Sequence, residues 1–180
     1  MTGLKHVDPT RRPGPIRRAY AALANTRLGR FLSEHLVWKV DPWLMRATGS
    51  RLGLGLPMPT ALLETTGARS GEPRRNVVIY FHDGDLATIV ASKLGMPEHP
   101  AWFHNLLDEP NVVLGGLPMR ATVVVDEAER RRLWALADNV FAPYADYRRQ
   151  AAKSGRDIPI VQLGVREADA VARPGRGGEG

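Results

Sequence analysis

The chain has 180 residues, enough for one domain with a proper hydrophobic core and too few for two comfortable ones. It has no cysteine, which excludes disulfides, thiolate nucleophiles and thiolate metal sites, so any redox chemistry needs a cofactor. The net charge is +6, and 43% of the residues are hydrophobic. No apolar run approaches the roughly 18 residues of a membrane-spanning helix, and the first residues do not resemble a signal peptide. We therefore predict a cytoplasmic protein.

The positive charge is concentrated at the start of the chain. Residues 1–60 carry ten Lys or Arg against three Asp or Glu. Between Ile16 and Leu36, apolar residues recur at helical spacing among arginines, which predicts an amphipathic helix. Its apolar side could pack against the domain or a partner subunit, or the segment could touch the inner face of the cell membrane. No nucleic-acid motif accompanies the charge, so we predict no nucleic-acid partner.

The rest of the chain reads as a mixed fold. Alternating and β-branched runs predict strands at residues 61–66, 76–81, 86–91, 111–114, 119–125 and 158–163. Helices are predicted at residues 101–107, opened by Pro100, at 126–140, where Asp126 and Glu129 form a capping box, and at 144–153. Few parallel crossovers indicate an α+β fold, a small antiparallel barrel wrapped by helices. We predict a helical segment 1–60, a barrel domain 61–165 and a disordered tail 166–180.

Two loops flank a predicted hairpin and carry groups that bind anions. The first contains Arg69, Ser70, Arg74 and Arg75 on a glycine-rich turn with exposed backbone N–H groups, and the second contains Ser92 and Lys93. Since a hairpin brings its outer ends together, the two loops would share one phosphate or carboxylate ligand. Arg74 and Arg75 leave a strand by opposite faces, and we favour Arg74 as the ligand. The alternative is an ordinary surface turn.

A short aromatic helix follows the second loop. Trp102 and Asn105 lie one turn apart and could present an indole face and an amide to a flat heterocycle, although Trp102 could equally be core. The three histidines of this region lack partners at metal-ligand spacing, so we predict no metal site. No nucleophile elbow or carboxylate pair indicates hydrolysis.

Six motifs in order resemble the deazaflavin-dependent nitroreductase and quinone reductase family, split β-barrel proteins of actinobacteria that bind coenzyme F-420. The motifs are TTGARSGEPR from Thr65, DGD from Asp83, VASKLG from Val90, HPAWFHNL from His99, YADY from Tyr144 and RDIPIV from Arg156. The resemblance implies a split barrel of the FMN-binding kind. It also implies hydride transfer from the reduced 8-hydroxy-5-deazaflavin to an electron-poor acceptor, such as a quinone, an activated alkene or a nitroaromatic.

The resemblance also assigns the site. It implies that Arg69, Ser70, Arg74 and Lys93 hold the acidic part of the cofactor, with Arg75 solvated or on a distal part of it. The residues implied to surround the deazaflavin are Asn76, Val77, Val78, Ala91, Ser92, Ala101, Trp102, Phe103 and Asn105. Family members often carry Met where this chain has Ala101, which widens the pocket beside the ring. Ser92 carries the hydroxyl nearest the expected ring and could donate a hydrogen bond or a proton to the reduced product. Tyr144 and Tyr147 resemble the family's substrate-side tyrosines, and we predict all three to be catalytic residues, although each tyrosine could equally be a surface or partly buried one.

Two other functions are compatible with the sequence. A split barrel could hold FMN, which would make the chain a different oxidoreductase. The chain could also be a non-enzymatic protein that binds a membrane or a partner through residues 1–60. A homodimer is a further prediction, since barrels of this kind often pair through a sheet face.

Overall fold

A computed structural model describes residues 4–11, 14 and 58–166. Six strands lie in it: β1 (Thr60–Thr66), β2 (Pro73–Asp83), β3 (Leu86–Val90), β4 (Asn111–Leu114), β5 (Leu117–Val123) and β6 (Ile160–Val165). They close into a barrel in the order β1-β2-β3-β6-β5-β4, and every neighbouring pair is antiparallel. The predicted antiparallel α+β barrel is therefore confirmed. The helix predicted between Ile16 and Leu36 lies outside the described residues.

Side-chain alternation divides the core into two layers. The barrel interior is filled by one set of apolar side chains, which includes Leu63, Val78, Ile89, Leu114 and Leu163. The other face of the same strands is covered by helices, in a cluster that includes Phe81, Val90, Leu133, Val140 and Ile160. Both faces of the sheet are buried along β3, whereas β1, β4 and β5 alternate between buried residues and more exposed ones.

Within the described part of the chain, three helices cover the barrel: α1 (Ala101–Asp108), α2 (Glu127–Val140) and α3 (Tyr144–Ala152). The Asp126 side chain accepts a hydrogen bond from the Glu129 backbone N–H at 2.8 Å, so the predicted N-cap is confirmed. The second half of the capping box is not made, because the Glu129 carboxylate instead accepts from the guanidinium of Arg132. A short 3-10 helix, Lys93–Gly95, was not predicted.

Some predicted element boundaries were wrong by two residues. The turn was expected over residues 82–85 but covers only Gly84 and Asp85, because β2 continues to Asp83. Gly84 takes a φ of +57°, which makes so tight a turn possible. Strands β5 and β6 begin two residues from where they were expected. In β5 the glycine turn at residues 115–116 brings Leu117 opposite Leu114, which sets the earlier start.

Strand β2 continues beyond its ladder with β3. That ladder begins at Tyr80↔Ile89, whereas the ladder with β1 covers the whole stretch from Pro73 to Ile79. The Tyr80 N–H donates to the Pro59 carbonyl on the side of β1. By alternation, the N–H and C=O groups of Val77 and the N–H of Ile79 point to the other side, where no described strand pairs with them. The Ile79 carbonyl is used, because the pair Tyr80↔Ile89 places it opposite the Val90 N–H. Strand β3 ends at Val90, so β2 extends well beyond the end of its partner.

Residues 4–8 also belong to the barrel. The Tyr80 hydroxyl donates to the Lys5 carbonyl at 2.8 Å, and the Val7 N–H donates to His82 Nδ1 at 3.1 Å. The His82 N–H returns a hydrogen bond to the Val7 carbonyl at 2.8 Å. Leu4 and Val7 pack against the interior cluster. This stretch therefore lies against β2, just beyond the start of β1.

Candidate functional site

The glycine-rich turn between β1 and β2 is closed by its own backbone. The Gly67 N–H donates to the Glu72 carbonyl at 2.9 Å, and the N–H groups of Ser70 and Gly71 donate to the Gly67 carbonyl at 3.2 and 2.8 Å. The expectation of exposed backbone donors was therefore wrong, because the turn uses these N–H groups internally. Any anion bound here must be held mainly by side chains.

Two of those side chains meet above Gly67. Arg74 Nη2 donates to Ser70 Oγ at 3.2 Å. A Cβ on Gly67 would lie 2.8 Å from Ser70 Oγ and 3.4 Å from Arg74 Nε, so glycine leaves the room in which hydroxyl and guanidinium approach each other. Arg69 is exposed on the same turn. Within residues 4–11, 14 and 58–166, no carboxylate pairs with Arg69 or Arg74.

Asn105 anchors this turn to α1. Its Nδ2 donates to Thr65 Oγ1 at 3.0 Å, and its Oδ1 accepts from the Ala68 N–H at 3.1 Å. The side chain is buried, so these hydrogen bonds form in a medium that water does not enter freely. The amide has thus used one donor and one acceptor to fix the position of the turn.

Arg75 lies on the other face of β2 from Arg74. Its Nε donates to Glu64 Oε2 at 2.8 Å, and both side chains are partly exposed. Glu64 and Arg75 face each other in the β1/β2 register, which explains the pair. The predicted opposite orientation of Arg74 and Arg75 agrees with these contacts.

The second loop has an unusual backbone. After Val90, Lys93 and Leu94 take φ values of 44° and 55°, the left-handed region that L side chains rarely adopt. Lys93 Nζ lies 3.2 Å from Glu98 Oε2, and this hydrogen bond lowers the pKa of the Glu98 carboxyl. No hydrogen bond or ion pair among the described residues joins Lys93 to the first loop. The two halves of the expected site thus flank the gap between β2 and β3 without touching.

The structure buries several of the side chains expected around the ring. Val78, Ala91, Trp102 and Phe103 are all part of the barrel interior, with Trp102 only 6% exposed. Asn76 and Val77 are half-buried on β2, and Ala101 is exposed at the start of α1. The buried members can supply backbone groups and an apolar floor to a ligand.

The two tyrosines differ in environment. Tyr144 is buried between α2 and α3, with its ring centroid 5.1 Å from that of Phe141, and burial raises the pKa of its hydroxyl. Tyr147 is half-buried, and its ring centroid is 6.3 Å from that of Tyr144. A Cβ on Gly95 would come within 2.7 Å of the Tyr147 carbonyl, so α3 lies directly against the Lys93–Gly95 turn. The Tyr147 backbone therefore contacts the second loop, while its ring packs with those of Phe141 and Tyr144.

One residue at this loop had no role in the sequence analysis. Arg156 is 8% exposed, and its guanidinium donates to the carbonyls of Ala91, Ser92 and Met96 and to His99 Nδ1. These partners lie about sixty positions earlier in the chain. No local pattern could have paired them; the only signal was that Arg156 opens one of the resembling motifs.

Comparisons with known proteins bear on the same residues. A family model described as F420H(2)-dependent quinone reductase matches residues 38–164. The F420H(2)-dependent quinone reductase Rv1261c of Mycobacterium tuberculosis is 33% identical over 147 residues, which cover 76% of this chain and 97% of that protein. A solved F420-H2 dependent reductase is 34% identical and has a TM-score of 0.51; the matched region covers 58% of this chain and 93% of the reductase. A solved chain described as a domain-swapped dimer is 28% identical and has a TM-score of 0.53; the matched region covers 73% of this chain and 98% of the solved chain.

Proposed function

The chain belongs to the F420H(2)-dependent quinone reductase family, and from this premise we propose that the first loop binds the acidic part of coenzyme F-420 beside the open edge of β2. The protein is a deazaflavin-dependent oxidoreductase. The observation that carries the site assignment is the meeting of Ser70 Oγ and Arg74 over Gly67, with Arg69 beside them and no described carboxylate to neutralise either guanidinium.

The donor set fits a phosphate or carboxylate. Guanidinium groups make paired, charge-assisted hydrogen bonds to such anions, each contributing about 1.5 to 3 kcal/mol where water is excluded. Ser70 adds a hydroxyl that can rotate toward the ligand. Gly67 keeps this space free, because any Cβ would enter it. Lys93 lies across the gap between β2 and β3, where exchanging Glu98 for a ligand anion would make it a third cation of the site.

The ring has a natural position along the open edge of β2. The N–H and C=O groups of Val77 and the N–H of Ile79 point toward the gap and can pair with the amide edge of a flat heterocycle, as they would with a strand. Val78 and Ala91 give an apolar floor, and Ser92 lies on the far side. When bound and reduced, the cofactor supplies a hydride to an electron-poor acceptor such as a quinone.

The acceptor also needs a proton after hydride transfer. Ser92 is half-buried, and no described residue hydrogen-bonds to its hydroxyl, which is therefore available to the substrate. Tyr147 lies on α3, whose backbone contacts the same turn. We assign Ser92 Oγ as the hydrogen-bond donor that stabilises the charge arriving on the acceptor oxygen, which takes its proton from solvent, with Tyr147 and the buried Tyr144 forming the substrate side of the pocket.

Titration with oxidised coenzyme F-420, followed by fluorescence, tests the site. We expect Arg74→Ala to weaken binding by about 10- to 150-fold, the equivalent of one charge-assisted hydrogen bond. Arg75→Ala is the matched control, because its exposed pair with Glu64 lies on the opposite face, and it should change the affinity less than about threefold. Unchanged affinity in both Arg74→Ala and Lys93→Ala would refute the assignment, and tighter binding of FMN than of the deazaflavin would favour the flavin alternative.

Two associations belong to the same proposal. The similarity to a solved chain described as a domain-swapped dimer supports a homodimer, which sedimentation equilibrium would test. The excess of basic residues in 1–60 supports contact with the inner, anionic face of the cell membrane, which co-flotation with vesicles containing anionic lipid would test. Within the described residues, no helix has the length and apolar character to cross a membrane.

A further inference from the structure

Arg156 carries a buried charge that is balanced by carbonyl groups. Its Nε donates to His99 Nδ1 at 3.1 Å and its Nη1 to the Ser92 carbonyl at 3.2 Å. The same guanidinium also donates to the carbonyls of Met96 and Ala91. No carboxylate among the described residues forms an ion pair with it. Four acceptors of one short segment thus surround a single cation.

That segment has a conformation that needs support. Lys93, Leu94 and Gly95 are three consecutive residues with positive φ, and the first two have side chains that disfavour it. The segment makes three short-range backbone hydrogen bonds, each at 2.9 Å: from the Ser92 N–H to the Val90 carbonyl, from the Gly95 N–H to the Ser92 carbonyl and from the Met96 N–H to the Lys93 carbonyl. Arg156 links the two ends of the same segment, because its guanidinium donates to the carbonyls of Ala91 and Ser92 at the start and to the carbonyl of Met96 at the end.

We propose that Arg156 is a positioning residue, which fixes the backbone from Ala91 to Met96 so that the Ser92 hydroxyl and the Lys93 ammonium are presented to the gap between β2 and β3. This inference rests on the proposed function, because it assigns the orientation of two residues of the proposed site. Lysine could not replace it. A planar guanidinium directs donors to separate acceptors at once, whereas an ammonium is a point charge on a flexible stem.

Hydrogen exchange in the protein without cofactor gives the first test. In Arg156→Lys we expect the amides of Gly95 and Met96 to exchange at least about tenfold faster, because opening of a local unit no longer breaks the guanidinium contacts. The ladder amide of Ile89 should be unchanged. Arg130→Gln is the matched control. It removes a guanidinium that pairs with Asp157, next in sequence, and touches none of the carbonyls.

Binding and single-turnover hydride transfer give the second test. A displacement of the site residues by about 1 Å can reduce the rate about 100-fold, and we expect Arg156→Lys to lose 10- to 100-fold while its melting temperature falls by only a few degrees. Methylguanidinium should partly restore Arg156→Ala; if that variant does not fold, the lysine variant decides. Local exchange and hydride transfer that both stay at the wild-type values would overturn the inference, as would faster exchange throughout the barrel. A wild-type protein that binds no deazaflavin would instead refute the proposed function, and the positioning role with it.

Discussion

Gly67→Ala should separate binding from stability at the first loop. The new Cβ would lie 2.8 Å from Ser70 Oγ and 3.2 Å from the Glu72 carbonyl, so the hydroxyl must rotate away. Rotation breaks its hydrogen bonds to Arg74 at 3.2 Å and to the Glu72 N–H at 3.3 Å. These bonds are exposed and each contributes about 0.5 to 1.5 kcal/mol at most. The lower entropy of the unfolded chain returns about 0.4 to 1 kcal/mol, so the melting temperature should change little.

The affinity for coenzyme F-420 should respond far more. With Ser70 displaced and Arg74 no longer held beside it, the site loses about one charge-assisted hydrogen bond, about 1.5 to 3 kcal/mol, which weakens binding about 10- to 150-fold. Fluorescence titration and calorimetry on the same samples measure both effects. The double variant Gly67→Ala/Ser70→Ala is the control, because removing Oγ frees the space that the Cβ needs, and it should bind no more weakly than Ser70→Ala alone. An affinity within twofold of wild type in Gly67→Ala would refute the reasoning.

Further predictions concern the rest of the fold. Gly95→Ala should lower the free energy of unfolding in urea by more than Gly155→Ala. Both glycines have positive φ, 77° and 72°, but only at Gly95 would the new Cβ lie 2.7 Å from a backbone carbonyl of α3. Equal losses in the two variants would contradict that contact. Burial lowers the pKa of His82 below its usual value of 6.5, so the unfolded chain binds the proton first and stability should fall as the pH drops below about 6.5. His82→Gln cannot titrate and should make the melting temperature less dependent on pH in this range. If the variant and the wild type show the same slope, His82 is not the source of the pH dependence. Asp126→Ala should cost about 1 kcal/mol of unfolding free energy through the lost N-cap of α2, and no loss would show that the cap contributes nothing.

Local patterns predicted the elements well and their meeting points less well. The β2–β3 hairpin was predicted from an alternating run and a glycine turn, which are properties of neighbouring residues. The early end of β3 was not predicted: the strand stops at Val90, and the Ala91 N–H donates to the Pro159 carbonyl, just before β6, at 3.0 Å. A contact between residues so far apart in the chain leaves no trace in either segment, so Lys93 was expected beside Arg74.

The candidate site shows the same limit. Residue types identified the cations of the two loops, because anion-binding groups are recognisable by their chemistry. The sequence did not predict that Lys93 would take a positive φ, since such a backbone usually requires glycine or asparagine. Nor did it distinguish Arg156, whose partners are carbonyl groups that every residue possesses. Arginines that bind backbone become visible only when the fold is known.

The attachment of residues 4–8 to β2 has a practical consequence. Val7 bonds to His82, and Pro59, on the other side of the stretch that the structure does not describe, bonds to Tyr80. These anchor points are two positions apart on one strand, about 7 Å. The intervening basic stretch can therefore be excised and bridged by a short glycine-serine splice, whereas truncation from the amino terminus would also strip Lys5 and Val7 from the barrel. If the protein with this bridge no longer binds vesicles, the loss can be attributed to the removed stretch alone. Hydride transfer to a water-soluble quinone would show that its barrel is intact.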